Sequence, residues 1–127
     1  MILIQGTILP TGINTLIRMH WAKRKKKQLE IIDDITQNNP KALTTPFGCP
    51  VDILYTRKST RYMDWDNAAG SFKLIGDALV TLGIIIDDNP NVVINFRVQQ
   101  QKVKKRDEQG YEVLICKASS VSEMRIE

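Results

Sequence analysis

An α+β fold (α/β mixed) is predicted for this chain: one domain over residues 1–127, a mixed sheet covered by two helices, in the order β-α-β-α-β-β. Short runs in which apolar residues alternate lie at both ends and in the middle of the chain. Two longer stretches between them repeat apolar residues at helical spacing. The length, 127 residues with 43% hydrophobic and 25% charged, suits a single domain with its own core.

Residues 2–9, rich in Ile and Leu and ended by Pro10, read as the first strand. Pro10-Thr11-Gly12 is a turn. Residues 15–38 form the first helix, with Leu16, Met19, Leu29, Ile31, Ile32 and Ile35 as its apolar positions. Its strongly basic middle moves a second possible start to Trp21, and Asn38-Asn39-Pro40 stops it. Residues 41–50 are a loop. Residues 51–57 alternate as a strand, with Val51, Ile53 and Tyr55 on one side, and residues 58–63 are a basic loop. Phe72, Ile75, Leu79 and Leu82 place the second helix over residues 67–82, ended by Gly83. Val92, Ile94, Phe96 and Val98 mark a strand over residues 92–103. A polar turn at residues 107–110 folds it into a hairpin with residues 111–116, and the tail from Ser119 is expected to fray.

The net charge is +4, and the basic residues are clustered at residues 23–27, at Arg57, Lys58 and Arg61, and at residues 102–106. Three local concentrations point to a polyanion as partner. Solvated surface explains any one of them alone; the middle cluster stands apart because it adjoins acidic residues. Cys49 and Cys116 lack a neighbouring third ligand type, which argues against zinc, and both are expected to be reduced. No apolar run is long enough to span a bilayer, so the expectation is a soluble cytoplasmic protein with no membrane partner.

Two pairs of aspartates bracket the second helix: Asp64 and Asp66 before it, Asp87 and Asp88 after it. Gathered carboxylates repel one another unless a cation neutralises them, and oxygen ligands suit Mg²⁺. In an extended segment Asp64 and Asp66 point the same way and can face one cation. Asp87 and Asp88 are adjacent, so at most one of them is a direct ligand. Each feature has a purely structural alternative. Asp66-Asn67 resembles a helix cap, Asp87-Asp88-Asn89-Pro90 is ordinary turn composition, and Lys73 can pair with Asp77 four residues on. The lone histidine, His20, reads as structural or solvent-facing. Trp21 and Trp65 can stack on bases, but packing is the expected role, with Trp65 behind the aspartates.

The segment Asp64-Trp65-Asp66-Asn67, then Lys73 and Gly76-Asp77-Ala78-Leu79, then Leu82-Gly83-Ile84-Ile85-Ile86-Asp87-Asp88, resembles the RusA family of Holliday junction resolvases. That family's pattern runs D-x-D-N, a lysine, a D-A-L turn, an apolar run and a D-D pair. Leu9-Pro10-Thr11-Gly12-Ile13-Asn14, followed by Arg18, is similar to its opening P-x-x-x-N element. The resemblance implies that Asp64, Asp66 and Asp88 bind Mg²⁺ (Mn²⁺ as a substitute), that Lys73 is the catalytic lysine, and that Asp87 and Asn67 support them. The chain departs from the pattern at one point: the lysine follows the second aspartate by seven residues here, against four in the family.

The implied activity is a Mg²⁺-dependent endodeoxyribonuclease that resolves four-way junctions by paired symmetric nicks, acting as a homodimer. Asn14 and Arg18 are candidates for phosphate contact near the site, and Arg57, Lys58 and Arg61 for holding DNA arms through phosphates. Two rivals stand beside it: another Mg²⁺-dependent nuclease acting on flaps or forks, and a non-catalytic DNA-binding module.

Overall fold

The strand β2 (Val51–Ser59) sits at the middle of the fold because every second residue along it is buried. Val51, Ile53 and Tyr55 face the core, as their alternation predicts. A computed structural model describes residues 1–42 and 47–118. Before β2 come β1 (Ile2–Gly6), α1 (Ile13–Arg18) and α2 (Trp21–Asn38). After it come α3 (Trp65–Gly70), α4 (Lys73–Thr81), β3 (Val93–Lys102) and β4 (Gly110–Lys117), with a 3-10 turn (Arg106–Glu108) before β4. The expected fraying tail lies outside the described residues.

The sheet is mixed, with strand order β1-β4-β2-β3. β2 and β3 run parallel, joined by the crossover through α3 and α4. β4 is antiparallel to both β1 and β2. The expected hairpin between the last two strands is therefore corrected: β4 passes to the far side of β2. Composition explains the choice. β4 buries Tyr111, Val113 and Ile115 completely or nearly so, which suits the centre of a sheet. β3 ends in Gln99, Gln100, Gln101 and Lys102, which suits an edge.

Both expected helices are broken in two. The first divides at His20, whose Nδ1 accepts the Ala22 N–H at 3.2 Å and caps α2, so the later start at Trp21 is the one that holds for the long helix. The second divides at Ser71 and Phe72. β1 is shorter than expected because the N–H groups of Thr7 and Ile8 bond to the Asp34 carboxylate instead of a strand. β2 runs two residues further than expected, taking Lys58 and Ser59 out of the loop. On β3 a register shift beside Val51 pairs Val93 with Val51 and Asn95 with Asp52. Val93, not Val92 or Ile94, thus packs on the core, since a one-residue slip changes the face.

α2 and α4 supply most of the helical side of the core, through Ile31 and Ile35 and through Leu74, Ile75, Ala78 and Leu79. Burying one such Ile or Leu fully contributes about 1.5–3 kcal/mol. Gly83, at φ +74°, ends α4. Its N–H reaches the Val80 carbonyl while the Ile84 N–H reaches Leu79, a Schellman closure that needs a left-handed residue. Asp34 is buried on α2 and accepts from Thr7 N–H and Oγ1, Ile8 N–H, Asn38 Nδ2 and the Tyr111 hydroxyl. Burial, and then the nearby Asp34 charge, push the Tyr111 hydroxyl pKa up. Cys49 and Cys116 are both free thiols.

Candidate functional site at the α3–α4 corner

The path from β2 to the first aspartates is held by two glutamines. Gln109 Oε1 accepts from the Thr60 N–H and hydroxyl. Gln100 makes two bonds to one residue, accepting from Met63 N–H at 2.9 Å and donating to Met63 O at 2.8 Å. Asp64 follows as the extended residue preceding α3, and Asp66 lies in the first helical turn. The two therefore do not share an extended segment, and the expected i,i+2 alignment of their carboxylates is lost. The residue before the helix is Asp64 rather than Asp66, and its side chain makes no cap bond. Asp66 Oδ1 accepts the Asn67 N–H at 2.9 Å, a contact the helix dipole favours.

Asn67 joins the two halves of the sequence pattern. Its Oδ1 accepts the Asn14 N–H at 3.1 Å, tying the opening segment to α3. Gly12 permits this approach, since a Cβ there would stand 2.4 Å from Asn67 Oδ1. Gly70 lies equally close to Ile13, so α1 and α3 meet through small residues. The Arg57 Nε donates to the Pro10 carbonyl at 3.0 Å and fastens the same opening segment to β2.

At the break between α3 and α4, Ser71 Oγ bonds to the Tyr55 hydroxyl at 2.6 Å and to the Ala68 carbonyl. Burial raises the Tyr55 pKa, against smaller lowering contributions from Ser71 and Arg57. Phe72 and Phe96 pack together at 4.9 Å between ring centres, with Tyr55 beside Phe72 at 5.1 Å. Lys73 is the first residue of α4, and its Nζ lies 3.2 Å from Asp77 Oδ1, the i,i+4 pair anticipated as its structural alternative. Lys73 and Asp88 line one apolar cleft of about 430 Å³ together with Ile13, Phe72, Val93 and Phe96. Asp88 Oδ2 would lie 3.8 Å from a Cβ on Gly76. Asp87 closes the turn, accepting from the Asp88 N–H and from Asn89 Nδ2.

The expected residues thus converge in pairs, Asn14 with Asn67 and Lys73 with Asp88, rather than as one group. Among the described residues, no three His, Cys, Asp or Glu side chains form a group that holds a metal ion. The two aspartate pairs have different neighbours on β3. Met63, next to Asp64, is clamped to Gln100, whereas Asp88 shares a cleft with Phe96 and Val93. Asp64, Asp66 and Asp88 are exposed oxygen donors of the type Mg²⁺ takes, but as arranged they are not a three-carboxylate ligand set.

No protein-family model and no curated protein matches the chain.

The basic residues separate by partner. Arg57 is 6% exposed on the inner face of β2, and burial lowers its pKa. Its expected role as an arm-holding phosphate contact is corrected to one of internal anchoring. Lys58 points to the opposite face and is ion-paired with Glu112. Arg61 is exposed two residues beyond β2. Asn14 and Arg18 line a cavity of about 460 Å³ with Thr15, Met19, His20 and Lys23. Trp21 and Trp65, expected to pack, are instead exposed, at 71% and 60%. Among the described residues no helix is long and apolar enough to cross a membrane. The clamps at Gln100 and Gln109 and the buried Asp34 were not anticipated, because a polar side chain's distant partner leaves no local periodicity.

Proposed function

We propose that this protein is a Mg²⁺-dependent endodeoxyribonuclease of branched DNA, resembling RusA resolvases, that acts in the cytoplasm on four-way junctions as a twofold dimer. The observation that carries the reading is the Asn67–Asn14 bond. It makes one local unit of the D-x-D-N run and the opening Pro10–Asn14 stretch, the two parts of the resemblance. The shared cleft of Lys73 and Asp88 supports it further, since it gives the lysine and one aspartate of the second pair a common lining. Mg²⁺ is commonly held by one or two carboxylates with waters and substrate phosphates completing the shell, so a protein-only cage is not required. Held by one or two of Asp64, Asp66 and Asp88 in this way, the ion would supply an activated water and neutralise phosphoryl charge. The chain's own contribution is placement: Gln100 fixes the approach to Asp64, Asn67 fixes the opening segment, and Lys73, once free of Asp77, is available to a phosphate oxygen. A twofold dimer matches two symmetric nicks.

That no three ligand-type side chains group together among the described residues favours a second reading, a DNA-binding module without catalysis. Incubating a labelled four-way junction, a flap and a linear duplex with the protein, with and without Mg²⁺, distinguishes them. The resolvase reading expects paired nicks in the junction only with Mg²⁺, lost in Asp66→Asn while junction binding persists. Preferential cutting of the flap makes it another branched-DNA nuclease. Binding with no nick in either metal condition leaves the module.

A further inference from the structure

Five consecutive basic residues, Lys23 to Lys27, fill the first two turns of α2. That is the electrostatically unfavourable end for them. Aligned peptide dipoles give a helix N-terminus about half a positive charge, and no acidic residue occupies this first turn. None of the five is in an ion pair among the described residues. Like charges three and four residues apart, such as Lys23 with Lys26 and Lys27, repel further. The arrangement costs stability in the isolated protein, and an external polyanion relieves that cost.

The helical period selects which of the five share one arc of α2. At about 100° per residue, Lys23, Lys26 and Lys27 fall within an arc of about 100°, while Lys25 lies on the other side of the helix. Arg24 and Lys27 are half-buried, whereas Lys23, Lys25 and Lys26 are exposed. Lys23 also lines the cavity that holds Asn14 and Arg18, so the arc continues onto α1. Lys27 adjoins Pro10 and Thr11. From there Asn14 is tied to Asn67, beside Asp66. Lys23 and Lys27 are about 6 Å apart along the helix axis, a span over which duplex DNA presents three to four negative charges, roughly. The basic cluster nearest the aspartates in sequence is less available: Arg57 is buried and Lys58 is paired.

We infer that Lys23, Lys26 and Lys27, continued by Arg18 and Asn14, form a ridge on which a duplex DNA arm docks through its phosphates. The inference rests on the nucleic-acid reading above but not on catalysis. Its test is equilibrium binding of a linear duplex and a four-way junction in EDTA, from 50 to 200 mM salt, for the wild type and for the triple variant K23A/K26A/K27A. Each phosphate contact contributes a slope of about 0.9 in log affinity against log salt. The triple variant is expected to lose about two to three units of slope and at least tenfold in affinity at low salt, roughly. Its melting temperature should hold or rise, because repulsion is removed. K23R/K26R/K27R should bind like the wild type, and K104A/R106A should leave the slope nearly unchanged. An unaltered slope in the triple variant overturns the ridge, as does a wild-type protein with no salt-dependent duplex binding. A protein that binds through the ridge yet never nicks keeps this inference and removes the nuclease.

Discussion

Asn67 Oδ1 accepts the backbone N–H of Asn14 at 3.1 Å, closing two segments 53 residues apart onto each other. Gly12 leaves no space for a Cβ beneath that side chain. Asn67→Ala is expected to cost about 0.5–1.5 kcal/mol in thermal or urea unfolding, the usual range for one such bond. Gly12→Ala displaces the same side chain, so the double variant should lose clearly less than the sum of the singles. Additive losses would show that Gly12 and Asn67 act separately. Junction nicking, measured well below the melting temperature, should fall in both.

Lys73 and Asp77 are both more than a third exposed, so their ion pair contributes little to stability. Lys73→Met and Asp77→Asn should each shift unfolding by less than about 1 kcal/mol. Their effects on nicking should differ. Lys73→Met abolishes it under the proposed function, whereas Asp77→Asn frees the ammonium and retains or raises it. Equal nicking in the two variants would remove Lys73 from the site.

Asp34 receives hydrogen bonds from β1's continuation and from β4 while it sits on α2. Asp34→Ala leaves the Thr7 N–H and the Tyr111 hydroxyl without their acceptor. The expected loss is about 3 kcal/mol or more, since each buried orphan costs about 1–3 kcal/mol. Denaturant unfolding monitored at two probes would register it. A loss under about 1 kcal/mol would mean that water replaces the carboxylate at little cost.

Tyr111 gives the fold a dependence on alkaline pH. Its pKa is raised in the folded protein by burial and then by Asp34, from an ordinary value of 10.0. Its contribution is fully present below pH 10 and declines above it, because the unfolded chain releases the proton more readily. Tyr55, raised chiefly by burial, acts in the same direction. Urea midpoints between pH 7 and pH 11 should fall beyond pH 10, and Tyr111→Phe should flatten part of that decline. An equally steep decline in Tyr111→Phe would assign it to other groups.

The class of the fold was legible because Val51, Ile53 and Tyr55 alternate, and because Ile75 and Leu79 repeat at helical spacing. The pairing partner of β4 was not, since alternation marks a strand's faces and says nothing about which strand lies beside it. The start of α2 at Trp21 was legible in its basic run, whereas the break at Ser71 was hidden for a related reason: it is a polar residue within a helical pattern, and its bond to Tyr55 exists only in the folded chain. The functional motif was readable as a string. Its geometry was not: Asp64 precedes α3 and Asp66 lies within it, so a spacing of two no longer means a shared direction.

β4 stands between β1 and β2, although it is the last of the four strands to leave the ribosome. Ile2 pairs with Ile115, so the earliest strand waits for the latest before it acquires a neighbour. Until β4 arrives, β1 has no partner strand, and β2, paired with β3, lacks its second neighbour. Such long sequence separations slow folding, and they leave the nascent chain dependent on helix packing for much of its synthesis.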